Sequence, residues 1–99
     1  MEDYLIGGDI GTSSIKAVLT TPVGEIVARS TVHYPTHHPQ PGWAEQDPEH
    51  WWKGAVEAIR SVTAGYPGRV AGIGVSGQGC GVTLVDQAGD VIRPAIIWM

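Results

Sequence analysis

Ninety-nine residues with seven aromatic side chains and an average apolar share support one small domain or part of one, with a core that leaves little surplus stability. A net charge of -4, with only six scattered Lys and Arg and no basic stripe, argues against a nucleic-acid partner. The single cysteine, Cys80, excludes an internal disulfide and a cysteine-built zinc site and fits a reducing compartment, the cytoplasm; no signal peptide or membrane span is expected.

The first stretch, YLIGGDIGTSSIK, begins as an apolar strand at Tyr4, Leu5 and Ile6. It is expected to enter a tight turn carrying Gly7, Gly8, Asp9 and Gly11, and to leave through Thr12, Ser13 and Ser14 into a period-two β-branched run, Ile15 to Thr21. This is the shape of a phosphate site. Glycines let backbone N–H groups approach an anion, Thr12 and Ser13 add hydroxyl donors, and Asp9 can hold a metal ion through water. A dinucleotide-binding fingerprint would need a helix after the loop, and a Walker loop would need G-x-x-x-x-G-K-[ST], which is absent. A phosphate-binding hairpin tip and an ordinary structural hairpin both remain open from the motif alone.

Pro22, Val23 and Gly24 turn the chain into a third strand, Glu25 to Tyr34, with Ile26, Ala28, Ser30 and Val32 facing one way. Three prolines between Pro35 and Gly42 force an extended loop, and the adjacent His37 and His38 point apart, a poor metal pair. Asp47 is the expected N-cap of a helix with Pro48 at its first position and Glu49 complementing the dipole. Trp51, Ala55, Ile59 and Val62, with Trp52 and Val56 beside them, predict one broad apolar face in the core. Gly65 and Pro67 end the helix, and Arg69 to Ser76 reads as a buried strand after a crossover. Gly77, Gln78, Gly79, Cys80 and Gly81 form a second turn almost without side-chain bulk. Cys80 lacks a nearby His or cation in its strand and loop, which disfavours it as a nucleophile.

A strand pair, Val82 to Val85 and Val91 to Trp98, closes the chain around a turn at Asp86 to Asp90. The last apolar strand has no turn residue or polar cap after it, so a fragment is expected, whose exposed apolar sheet would favour self-association, a homodimer included. The fold class expected is α/β, a mixed sheet in β-β-β-α-β order with a further strand pair. A right-handed crossover would set the first strand beside the strand after the helix and bring both Gly-rich loops to one edge as a ligand cleft.

Over essentially its whole length the chain resembles the N-terminal end of the FGGY carbohydrate kinases, members of the actin-like ATPase superfamily with ribonuclease-H-like domains. The segments that carry the resemblance are IGGDIGTSSIKAVL, PGWAEQDPEHWW, GIGVSGQGCG and LVDQAGDVIRPAIIW. It implies that residues 1–99 are a truncated N-terminal part of the sugar-binding domain, without the C-terminal domain, in a protein that uses ATP and Mg2+. Asp9 is then a metal-associated carboxylate, while Gly11, Thr12 and Ser13 approach the ATP γ-phosphate with Lys16 near the same anion. Gln78, Gly79 and Cys80 belong to the loop against which the sugar lies, and Trp43, Glu45 and Gln46 either flank the sugar or brace the loop before the helix. Xylulose kinases usually carry Gln-Met-His-Gly where this chain has Gln78, Gly79, Cys80 and Gly81, a form more like the L-xylulose and polyol kinase branches. The implied reaction moves a phosphoryl group from Mg-ATP to a hydroxyl of a ketopentose such as xylulose or ribulose, or of a polyol. Its general base, an aspartate, and the adenine site are expected downstream, so the 99 residues alone are expected to be inactive. The alternative is a non-enzymatic actin-like module that binds nucleotide or a protein partner.

Overall fold

A computed structural model of the chain describes residues 2–98. Its elements run β1 (Asp3–Ile10), β2 (Ser14–Thr20), β3 (Ile26–His33), β4 (Glu45–Gln46), α1 (Pro48–Thr63), β5 (Arg69–Gly77) and β6 (Ala95–Ile96). The first three strands form an antiparallel meander, and β5 joins the free side of β1 in parallel, giving a mixed sheet in the order β3-β2-β1-β5. Period-two burial explains the sheet's inner face: Tyr4 and Ile6 on β1 and Ile15, Ala17 and Leu19 on β2 are buried, while Lys16 between them is exposed. Asp47 caps α1 as expected, its Oδ1 accepting the Glu49 N–H at 2.9 Å. Among the described residues no helix is long and apolar enough to cross a membrane.

Five local expectations are corrected. Gly7, Gly8 and Asp9 lie within β1 rather than in a turn, because β1 is paired along this length on both sides, to β2 and to β5. A Cβ on Gly7 would sit 3.1 Å from Val18 Cγ2, so here the glycine makes room for a neighbouring side chain. On β3, Ala28, Ser30 and Val32 are half-buried, but Ile26 is exposed. A register shift sets Leu19 opposite Ala28 and Thr20 opposite Ile26, and Val27 packs on the core instead.

The buried stripe of α1 is Gly54, Ala58 and Val62, with Trp51, Ala55 and Ile59 packed beside it, whereas Trp52 is 66% exposed. Gly54 sets the approach of helix to sheet, since a Cβ there would lie 3.1 Å from Ile15 Cγ2. Because α1 packs over β2 and β3 and scarcely reaches past β1, β5 is an uncovered edge with Ile73 and Val75 exposed rather than a buried strand. The closing strand pair reduces to isolated bridges, Val85 with Val91 and Val82 with Ile96. The regular pairing there is instead β6 against β4, Glu45 opposite Ile96 and Gln46 opposite Ala95.

Candidate functional site

The parallel pairing of β1 with β5 runs to Ile10 opposite Gly77, so both strands end together and release their loops on the same side. The Gln78 N–H donates to the Ile10 carbonyl at 2.8 Å and continues the ladder one step into the second loop. Between the loops lies a cleft of about 470 Å³ lined by Asp9, Gly11 and Thr12 from one side and Gly77, Gln78, Gly79 and Cys80 from the other, with Trp98 as a further wall. Six of the residues singled out in the sequence therefore share one cleft: Asp9, Gly11, Thr12, Gln78, Gly79 and Cys80.

The remaining four are placed differently. Lys16 stands opposite Asp9 in the β1–β2 ladder and lines a shallow hollow on the sheet with Asp9 and Ser76, next to the cleft. Ser13 is exposed at the hairpin tip, where its carbonyl accepts the Tyr34 N–H at 3.1 Å; its side chain does not line the cleft. Trp43 and Glu45 line a separate pocket of about 240 Å³ beside β4 and β6, and the Glu45 carboxylate is engaged there by the Arg93 guanidinium.

The hairpin tip is held from beneath. Gly11 N–H donates to the Ser14 carbonyl at 2.8 Å, closing the turn, and the Tyr34 hydroxyl reaches the carbonyls of Gly11 and Ser14. Buried Gln46 donates to the Thr12 carbonyl at 2.6 Å. With its carbonyls engaged on the protein side, the tip is a preorganised frame whose Thr12 faces the cleft. In the second loop Cys80 is the only non-glycine residue with positive φ among the described residues, at 59°, a conformation that needs surrounding structure to persist.

Burial first, and the Asp9 charge second, push the Tyr34 phenol above its ordinary value of 10.0. The neutral phenol is thus favoured in the folded state. Its contribution to stability is complete below pH 10.0 and is lost as pH rises through the folded value. Thermal midpoints measured below and above pH 10.0 should fall more steeply for the wild type than for Tyr34→Phe, and equal slopes would contradict this assignment.

Two contributors are not recognised from sequence, Trp98 and Tyr34. Trp98 reads there as the end of a buried strand but is 63% exposed in the cleft wall. Of the two roles the sequence offers Gln46, flank or brace, its hydrogen bonds to the Thr12 and Gln78 loops show the brace. Tyr34 was read only as the end of a strand, although antiparallel pairing of β3 with β2, which sets Ser14 opposite His33, already places the next residue beside the hairpin tip.

Residues 4–99 match the model of the FGGY family of carbohydrate kinases, N-terminal domain. The chain belongs to this family. A xylulose kinase of Klebsiella pneumoniae is 45% identical over 94 residues, covering 94% of this chain and 20% of that protein. Among solved structures, the ligand-bound xylulose kinase of Lactobacillus acidophilus superposes with a TM-score of 0.93 at 30% identity, covering 97% of this chain and 20% of that one. The gluconate kinase of the same organism gives 0.95 at 30% identity, over 99% of this chain and 20% of that one. The chain thus spans about one fifth of the length of the curated relatives it matches.

Proposed function

We propose that these residues are the N-terminal part of the sugar-binding domain of a cytoplasmic FGGY kinase, which transfers the γ-phosphate of ATP to a hydroxyl of a ketopentose or polyol. The observation that carries this is the convergence of the Asp9–Thr12 and Gly77–Cys80 loops on one cleft in a chain of this family. A meander followed, after a helix, by a parallel strand beside β1 is consistent with the ribonuclease-H-like, actin-like fold.

Within that cleft the backbone and hydroxyl of Thr12, with Gly11, offer donors to phosphate oxygens, and Ser13 and Lys16 lie at its margin to meet charge arriving with ATP. Among the described residues no group of three or more His, Cys, Asp or Glu side chains converges as a preformed metal site. A lone Asp9 suits magnesium, which is commonly held by one or two carboxylates, water and substrate phosphates. When bound, the ion supplies positive charge against the phosphate oxygens. On the sugar side, Gly79 and Cys80 leave room and only a weak thiol donor, while Gln78 brings an amide and Trp98 an apolar face for sugar C–H groups. Trp43 and Glu45 would act from their neighbouring pocket, as braces or at the sugar's far end. Exposed Ile73 and Val75 support self-association, a homodimer being the simplest form.

The test is ADP release by the intact protein with Mg-ATP against pentuloses, sugar alcohols and gluconate. One or two of these should raise turnover, and the separated 99 residues should turn over nothing. Turnover of ATP indifferent to every sugar, or none at all, would favour the non-enzymatic actin-like module.

A further inference from the structure

Gln46 sits in the two-residue strand β4, is 1% exposed, and spends its amide entirely inside the protein. Its Nε2 donates to the Thr12 carbonyl at 2.6 Å and to Thr36 Oγ1 at 2.9 Å. Its Oε1 accepts from the Trp51 indole at 2.9 Å and from Gln78 Nε2 at 3.0 Å. These partners come from separate places in the chain: the hairpin tip, the loop after β3, the first turn of α1, and the loop after β5. One buried side chain therefore joins both loops of the cleft to the helix.

The direction of the chain of amides is forced by chemistry. An indole N–H only donates, so the Gln46 atom facing Trp51 is the oxygen, and a carbonyl only accepts, so the atom facing Thr12 is the nitrogen. Gln78 must then offer its nitrogen to Gln46 Oε1, and the Gly11 carbonyl lies 3.4 Å from the same nitrogen. Turning either amide over would set oxygen against oxygen. What remains is Gln78 Oε1, a buried acceptor without a partner among the described residues, on a side chain that lines the cleft. An unsatisfied buried acceptor is unfavourable, so the orientation of the Gln78 amide depends on its bond to Gln46.

We infer that Gln46, oriented by Trp51, is a positioning residue for phosphoryl transfer: it fixes the phosphate-side loop relative to the sugar-side loop and holds the Gln78 side chain in the cleft wall. The inference rests on the kinase reading above and adds to it a residue that touches neither substrate.

The experiment compares kcat and sugar KM of the intact protein, its Gln46→Met, Gln78→Met and Trp51→Phe variants, and the Gln46→Met/Gln78→Met double variant, with the sugar that serves the wild type best. Each glutamine variant should lose about tenfold or more in kcat/KM for the sugar, and the double variant should be no worse than the weaker single, because the two amides act as one unit. Trp51→Phe keeps a six-membered aromatic ring against the core and removes the indole N–H together with the five-membered part of the ring. Assayed below its own thermal midpoint it should raise sugar KM, a change that loss of folding, which lowers the active fraction and leaves KM alone, would not produce. Wild-type constants in Gln46→Met, or losses that multiply in the double variant, would overturn the inference while leaving the kinase reading intact. If Gln46→Met does not fold, unchanged constants in Trp51→Phe overturn it equally. A wild type without sugar-dependent turnover would remove the kinase reading and this inference together.

Discussion

Asp9→Asn in the intact protein should lower kcat for sugar-dependent ADP release by about 10²–10³-fold, the usual cost of removing one preorganised charge-stabilising group. The substitution is nearly isosteric, and the backbone of Asp9 is held by its register opposite Lys16 on one side and Ser76 on the other. The ladder should therefore persist, and the loss should report the charge rather than a displaced strand. Asp9 lies across the cleft from Gln78 and Cys80, so if it acts on the phosphate as proposed, sugar KM should change far less than kcat. A loss of less than about tenfold in kcat would remove Asp9 from the reaction.

The second large effect concerns stability. Leu19 is among the largest fully buried side chains, at 1% exposure, and belongs with Ile15 and Ala17 to the face of β2 that α1 covers. Leu19→Ala should cost about 2–5 kcal/mol, through lost burial and the cavity left where β2 is pinned between β1, β3 and the helix. That is a large part of the roughly 5–15 kcal/mol by which folded domains are stable. Hydrogen exchange of the β1 and β2 amides in the intact protein should accelerate by about thirtyfold or more. Since β1 and β2 together hold the hairpin tip, activity should fall with them. Unchanged exchange would show that the core lies elsewhere.

The parts of this fold visible in the sequence are those set by strong local chemistry. The Asp47 cap with Pro48, the alternation of Ile15, Ala17 and Leu19, and the Gly-rich loops after two apolar strands all follow from rules acting within a few residues. Where pairing partners decided the outcome, local rules failed. Gly7 and Gly8 look like turn residues because glycine is common in turns, yet two flanking strands hold them extended. Two-residue β4 is too short for any periodicity, and its pairing with β6 bridges about fifty positions in the chain. Trp52 looked like core because tryptophan is apolar, but the helix is rotated so that Gly54 and Ala58 meet the sheet.

The candidate site divides along the same line. Asp9, Gly11, Thr12, Gln78, Gly79 and Cys80 share a cleft because two parallel strands end side by side, a consequence of the crossover expected from the element order. Tyr34 lies in no motif, and Gln46 and Trp51, although inside the segment PGWAEQDPEHWW, show no local signal that they hold the loops from behind. Their roles appear only when the Trp51–Gln46 bond is seen together with the bonds from Tyr34 and Gln46 that span tens of residues.

Phosphorus NMR of the intact protein with Mg-ATP and the preferred sugar tests the central claim most directly. A phosphate monoester resonance should grow in step with ADP, and should be nearly lost in Asp9→Asn. Conversion of ATP to ADP and inorganic phosphate without any monoester, or equal monoester formation by Asp9→Asn, would contradict the account.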